Sequence, residues 1–423
     1  MKNILMIAYH FPPIKGSSGI QRTLKFSHYL LDHHWRALIL TVHPRAYSLI
    51  SNDQIKEISP QVLVKRVFAL DTAKHLAFKG RYISWMALPD RWVSWCIGGL
   101  WSGLTLIHTH RPDIIFSTYP IASAHLLALL LQRFTKLPWI ADFRDSMTED
   151  NYPANPLQRT LYRWIERQTI TYCTRAIFTT PGAIRMYRAR YPDICTSKWA
   201  LIANGYDEEN FVRAEQSTDL AALKSAKKSG QLVLLHSGVL YPSERDPSQF
   251  FQALAALQQQ GIIGADNLKI ILRATGHDAL YQPLLNSYHL QDIVHFAPNI
   301  AYETALAEML SADALLIFQA ANCNHQIPAK IYEYLRAKRP IFALTDPAGD
   351  TASVLKQAGL SSIVALDDKD AIIVALSAFL EQLKTQQAPI ASNAVINQHS
   401  RQAKTQQLAQ LCDAIYNNLN RAQ

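Results

Sequence analysis

Short apolar runs alternate with helical patterns along almost the whole chain, and the alternation occurs in two sets. In the first half the runs at 3–9, 35–42, 113–118, 138–142, 175–180 and 198–203 are apolar at nearly every position, as strands buried on both faces are. Helical patterns lie between several of them, notably Ile20 to His33, Ile121 to Phe134 and Leu157 to Cys173. In the second half, strand runs at 231–236, 267–273, 293–296, 314–318, 341–344 and 362–366 alternate with helices near 247–260, 279–288, 302–311, 328–338, 350–358 and 370–383. Repeated βα units predict parallel sheets covered by helices, and two sets predict an α/β protein of two doubly wound domains. A length of 423 residues also exceeds one ordinary core.

The boundary falls in the polar stretch Asn204 to Gly230, which holds Asp207, Glu208, Glu209, Glu215 and basic residues from Lys224 to Lys228 but no strand pattern. The reading is an N-terminal domain of residues 1–205, a linker of 206–229 and a C-terminal domain of 230–399. A last helix of about 400–423, with Ala403, Leu408, Leu411, Ile415 and Leu419 as its apolar positions, is available to pack back on the first domain. Open α/β sheets bind ligands at the carboxyl ends of their strands, so the expected site is a cleft between two sets of strand ends.

Apolar content of 49% against 18% charged describes a foldable chain. A net charge of +9 suits anionic substrates or anionic lipid, and the dispersed basic residues disfavour nucleic acid. Cys96, Cys173, Cys195, Cys323 and Cys412 are odd in number and widely spaced, which argues for reduced thiols and a cytoplasmic location, and against zinc or a disulfide framework. Met1 to Tyr9 is too short for a secretory apolar region and runs directly to Pro12 and Pro13. Trp92 to His110 carries no formal charge but is diluted by Ser94, Ser102, Thr105, His108 and Thr109. Its Trp92, Trp95, Leu100, Leu104 and Ile107 crowd one side, predicting an amphipathic helix, buried or lying on a membrane surface, rather than a span.

Four stretches can carry chemistry. Gln326 to Phe342 reads as a helix opened by Pro328 and closed by Pro340, followed by a buried strand. Lys330 and Glu333 share a face near its start; an ammonium there can meet phosphate and a carboxylate can hold a ribose diol, although the same pair alone reads as solvated surface charge. After the first strand, His10 to Gly19 forms a turn in which Gly16 and Gly19 permit close approach, equally a bare helix cap or an anion or acceptor contact. In the second domain, Ser237-Gly238 ends the first strand and Arg245 precedes a helix capped by Asp246 with Pro247 at its first position. That location favours a pyrophosphate contact over pairing with Glu244 or Asp246. Asp142-Phe143-Arg144-Asp145 ends another strand and reads as part of a site or as a structural arginine–aspartate pair.

Together these residues resemble the retaining glycosyltransferases of the GT-B type, the group 1 or family 4 enzymes. The resemblance rests on Pro12-Pro13-Ile14-x-Gly16-Ser17-x-Gly19 with Gln21-Arg22, Pro112 to Ile115, Ala141 to Asp145, Ala203 to Asp207, Ser237-Gly238 with Arg245 to Pro247, Ser311 to Asp313, and Ile327 to Leu335. It implies two Rossmann-like domains facing across a cleft and transfer of a sugar, with retention, from a nucleotide diphosphate-sugar to a saccharide or lipid-linked acceptor in cell-surface polysaccharide or lipopolysaccharide biosynthesis. Arg245, Lys330 and Glu333 would be the catalytic set. Gly16, Gly19, Gly238, His325 and Ile327 would line the donor, and His10, Arg22, Arg144 and Asp145 would stand on the acceptor side. No metal and no cofactor beyond the donor substrate are implied, nor any nucleic acid. The basic aromatic stretch Lys74, Lys79, Arg81, Trp85, Arg91, Trp92 and Trp95 is expected either to pack or to rest on anionic membrane at its cytoplasmic face. Two departures stand out: His325 occupies the place of the family's first acid, eight residues before Glu333, and Val239 that of an arginine. Val239 leaves Arg245 to hold the diphosphate, and His325 leaves open a non-catalytic nucleotide-sugar-binding relative; a nucleotide-sugar epimerase of the same fold is the other alternative.

Overall fold

The computed structural model describes residues 1–15, 19–79 and 81–422. They divide into two compact units, Met1–Asn204 with Arg401–Gln423, and Gly205–Ser400. The first unit is built on strands β1 Lys2–Ile7, β2 Trp35–Val42, β3 Leu63–Val67, β4 Ile114–Thr118, β5 Trp139–Phe143, β6 Arg175–Phe178 and β7 Trp199–Leu201. Among the described residues they form one sheet in the order β3-β2-β1-β4-β5-β6-β7, parallel throughout. Alternate side chains feed two cores. Ile4, Met6 and Phe116 pack with Leu24, Phe26 and Leu408 on one face, while Leu5, Ile7 and Ile115 pack with Trp95, Leu127 and Leu131 on the other. Helix Arg401–Ala422 lies on this unit against helix Gly19–Tyr29, and its Asp413 pairs with Lys2 and accepts the Trp35 indole N–H at 2.9 Å.

The second unit carries β8 Leu232–Ser237, β9 Leu268–Arg273, β10 Val294–Ala297, β11 Ala314–Gln319, β12 Ile341–Thr345 and β13 Ile363–Val364, ordered β10-β9-β8-β11-β12-β13 and again parallel. Each sheet therefore reverses its direction of winding beside its first strand, between β1 and β4 and between β8 and β11, where ligands of such sheets bind. An aspartate fixes both junctions in the same way. Asp113 accepts the Asn3 N–H at 2.8 Å and returns its own N–H to Asn3 at 2.8 Å; Asp313 does the same with Val233 at 2.7 and 2.9 Å.

Several elements depart from the sequence reading. Strand β3 escaped it because an edge strand alternates, and Lys65 and Arg66 interrupt any continuous apolar run. The stretch 206–229 holds two helices, Glu208–Glu215 and Thr218–Ser225, instead of an open linker. Both pack on helix Tyr302–Ser311 of the second unit. Arg336 donates to Glu208 at 2.7 Å and to Glu215 at 2.8 Å while lying over the Phe211 ring at 4.9 Å, so two acids of this polar stretch are spent on one buried arginine.

Arg22, expected on the acceptor side, is drawn into a buried pair with Asp142. It is 3% exposed and clamps Asp142 through two hydrogen bonds, Nε to Oδ2 at 3.0 Å and Nη2 to Oδ1 at 2.8 Å. Its remaining donors meet the carbonyls of Ala203 at 3.0 Å and Ile202 at 2.9 Å. Thr118 donates to the same carboxylate at 2.9 Å, which ties β4, β5 and the end of β7 to helix Gly19–Tyr29.

Helix Trp95–His110 turns Trp95, Gly99, Gly103 and Leu106 inward. An added Cβ at Gly99 would fall 2.5 Å from Leu127 Cδ2, and one at Gly103 would fall 2.8 Å from Leu131 Cδ1, so the absence of side chains sets the approach of this helix to Ala122–Thr135. No helix among the described residues is long and apolar enough to cross a membrane.

Two stability measurements check these contacts. Gly99→Ala forces a methyl into a filled contact and is expected to destabilise the protein by about 1–3 kcal/mol in urea unfolding, despite raising helix propensity. Arg22→Ala strands a buried carboxylate and is expected to cost about 3–5 kcal/mol; an unchanged midpoint would instead return Arg22 to the acceptor side.

Candidate functional site

The second unit gathers its predicted residues where β8 and β11 end. Strand β8 stops at Ser237, and Gly238 turns away with φ +133°, a conformation that excludes a side chain. The space a Cβ would fill at Gly238 is taken by Lys330, whose ammonium donates to the Ser237 carbonyl. Four residues on, along the same face of helix Lys330–Arg336, the Tyr334 hydroxyl accepts the Ser237 N–H at 2.9 Å. One helix face thus grips both polar groups of a single residue at the strand end. The Pro328 reading holds locally: Ile331 N–H bonds the Pro328 carbonyl at 3.0 Å, which opens the helical turn.

Arg245 completes a basic cluster. Its guanidinium donates to the Val239 carbonyl at 3.1 Å and lies over the Tyr241 ring at 5.4 Å. Desolvation first, and then the Arg245 charge, pull the Lys330 pKa down to about 7, with Glu333 acting in the opposite sense. Beneath them His236 is 1% exposed, and burial with the charges of Lys330 and Arg245 holds its imidazole neutral while Nδ1 lies 2.9 Å from the Leu316 carbonyl. Two cations crowd a strand end at which the nearby carboxylate, Glu333, is occupied. Tyr302 donates to Glu333 Oε1 at 2.6 Å.

His325 and Ile327 lie in the loop between β11 and that helix, with Ile327 buried. Gln319, the last residue of β11, orders the loop by donating to the carbonyls of Cys323 at 2.9 Å and Gln326 at 3.1 Å. The loop after Val239 is braced against β11 as well, since Ala320 N–H bonds the Glu244 carbonyl at 2.7 Å. Asp246 accepts the Ser248 N–H at 2.9 Å, one residue before helix Ser248–Gln259 would need a cap, so Pro247 precedes the helix instead of opening it.

The first unit brings together a second group. Arg144, just beyond β5, donates from Nη1 to the Gly19 carbonyl at 3.1 Å, and a Cβ on Gly19 would fall 2.6 Å from that nitrogen and 3.1 Å from His10 Nδ1. Burial and the Arg144 charge pull the His10 pKa down to about 4, so the ring is neutral. Asp145 is exposed nearby in sequence, and Arg22 is withdrawn into its pair with Asp142. Gly16 lies outside the described residues. Tyr302, Gln319 and Tyr334 escaped the sequence reading. Only Tyr334 carried a usable signal, its spacing of four from Lys330; Tyr302 and Gln319 reach the site through tertiary contact. No three His, Cys, Asp or Glu side chains come together as a metal-binding group among the described residues.

Comparisons with known proteins agree with this layout. Residues 27–205 match the family model described as a glycosyl transferase 4-like domain. No curated protein sequence matches the chain. Among solved structures, sucrose-phosphate synthase from Thermosynechococcus elongatus superposes with a TM-score of 0.67 at 14% identity, covering 100% of both chains. HepE of Anabaena in complex with UDP-glucose gives 0.66 at 13%, covering 98% of this chain and 100% of that one. WaaG, a glycosyltransferase involved in lipopolysaccharide biosynthesis, gives 0.59 at 13%, covering 98% of each. Residues 27–205 are accordingly similar to a glycosyl transferase 4-like domain, and the chain as a whole has the fold of the GT-B glycosyltransferases.

Proposed function

We propose that this protein is a retaining glycosyltransferase that moves a sugar from a nucleotide diphosphate-sugar to a saccharide or lipid-linked acceptor in cell-surface polysaccharide or lipopolysaccharide synthesis. The observation that carries the reading is the convergence of Lys330 and Arg245 on the Gly238 turn, at the winding reversal of the second sheet. A diphosphate seated there meets two cations and a backbone that has no side chain to keep it away. Glu333, presented by the same helix and oriented by Tyr302, supplies acceptor oxygens for a ribose diol. Solved relatives of the fold carry UDP or UDP-glucose, which supports a nucleotide-sugar ligand.

In the reaction, the bond between the anomeric carbon and the diphosphate oxygen breaks and its electron pair leaves on the diphosphate. The acceptor oxygen bonds the same face of that carbon and gives up its proton to the departing diphosphate oxygen. Charge therefore grows on the leaving group, and fixed cations that are already in place lower that barrier. Lys330 and Arg245 take this role without a metal. On the first unit, His10 and Arg144 form the acceptor-side group; a neutral imidazole there can accept a hydrogen bond from an acceptor hydroxyl.

A second reading keeps the donor site without turnover, because His325 stands where an acid would contact the donor sugar. Nucleotide release in the presence of an acceptor separates the two: binding without release favours the non-catalytic relative, and interconversion of the free nucleotide sugar favours an epimerase. Glu333→Ala and Arg245→Ala are each expected to lower transfer by about 100-fold or more with no change in melting temperature. Near-normal turnover in both would refute the assignment.

Lys330 adds a pH signature. With a free pKa of about 7, it is largely neutral at pH 8, and a bound diphosphate beside it favours the ammonium. Donor binding at about pH 8 should therefore take up close to one proton, and affinity should weaken as pH rises further. Titration calorimetry in buffers of different ionisation enthalpy reads this uptake, and Lys330→Met should abolish it.

A further inference from the structure

The first unit holds cations that the sugar-transfer chemistry above does not use. Helix Arg401–Ala422 packs on helix Gly19–Tyr29, and its first turn carries Arg401 and Lys404 on one side. Lys404 is only 7% exposed, yet its ammonium has no hydrogen-bond or ion-pair partner among the described residues. Arg401 Nε is buried and equally unpartnered, and so is Arg144 Nε. Arg144 is fixed in place at both ends: Nη1 donates to the Gly19 carbonyl at 3.1 Å, and its own carbonyl accepts the Thr179 hydroxyl at 2.9 Å. The three cations form one cluster around Arg22. Burial first, and then the Arg22 charge, pull the Lys404 pKa down to about 8. Burial lowers that of Arg144, with Asp145 and Asp142 opposing and the charges of Arg22 and Arg401 adding to it.

The nearby carboxylates do not answer these charges. Asp142 already accepts two hydrogen bonds from Arg22 and one from Thr118. Asp145 stands at the surface and follows Arg144 in the chain. Arg401 and Lys404 are left without a counter-charge, and a buried cation in that state is costly. Arg144 also lies at the start of helix Gly19–Tyr29, whose positive end adds to the field. Guanidinium and ammonium donors gathered in this way suit an anion with several oxygens, a phosphate or a carboxylate. Lys330 and Arg245 already provide for the donor diphosphate in the second unit, so this anion belongs to the other substrate.

We infer that the acceptor is an acidic saccharide whose phosphate or carboxylate is held by Arg144, Arg401 and Lys404. The inference rests on the sugar-transfer reading for calling this ligand the acceptor, but its test reads binding and needs no turnover. The full chain is titrated calorimetrically with glucose 6-phosphate, glucuronate, glucose and inorganic phosphate. An acidic sugar is expected to bind at least tenfold more tightly than glucose or inorganic phosphate. Lys404→Met and Arg401→Gln are each expected to weaken that binding at least tenfold, whereas Arg245→Ala, which disables the donor cluster, leaves it unchanged. Lys404→Met should also hold or raise the melting temperature, because it removes a buried charge that has no partner. Binding of neither acidic sugar, or binding as tight in both variants as in the parent, overturns the inference. Inorganic phosphate bound as tightly as the sugars would mark a site for the free anion and overturn it too. So would binding lost in Arg245→Ala alone, which would assign the anion to the donor cluster. Absence of donor turnover with this binding intact would count against sugar transfer and not against the acidic ligand.

Discussion

Gly238 can leave β8 as it does only because it lacks a side chain, and the room thus freed is filled by Lys330. That single approach fixes the rest of the second unit's site. It brings helix Lys330–Arg336 against the strand end, where Tyr334 secures the Ser237 N–H and Lys330 its carbonyl. It places a partly desolvated ammonium beside Arg245, and it carries Glu333 to Tyr302. The far end of the same short helix holds Arg336, which recruits Glu208 and Glu215 and so draws the segment after the domain boundary into the unit. A seven-residue helix could not stand alone in water. It stands here because tertiary contacts from three directions fix each turn.

The two units share a logic of construction. Each sheet starts a central strand with an aspartate that binds the neighbouring first strand through both its carboxylate and its N–H, and each places chemistry-bearing residues just past the first strand's end. The polar contents differ. In the first unit the buried charges at the strand ends are closed on themselves, as in Arg22 with Asp142, leaving His10 and Arg144 around the Gly19 backbone. In the second unit Lys330 and Arg245 stand together at the strand end while Glu333 is held by Tyr302.

Burial of the remaining acids also explains the character of the outer surface. Asp90 and Asp71 serve backbone N–H groups near Ser123 and Ala73, so the stretch that contains them presents its basic and aromatic side chains alone. The helix that follows is uncharged along its length. Its glycines pack inward on leucines, and its Ile97 and Trp101 are left outside.

Much of the architecture was legible in the residues, because a strand buried on both faces must be apolar throughout and a covering helix must show its stripe; twelve such runs are strands in the structure, within a few residues at each end. Edge strand β3 and the helices at 208–225 were not legible, since half-exposed elements carry mixed patterns and owe their order to partners distant in sequence, such as Arg336. The helix bearing Lys330 and Glu333, and the position of Arg245 before its helix, followed from prolines and local spacing. What the sequence by itself determined was which residue types stand at strand ends and helix starts. Only the tertiary structure decided which of those charges are spent: Arg22 and Asp142 neutralise each other in the core, whereas Lys330 and Arg245 are held together against their repulsion. Local sequence sets where a side chain begins, but pairing across a hundred residues sets whether its charge remains available.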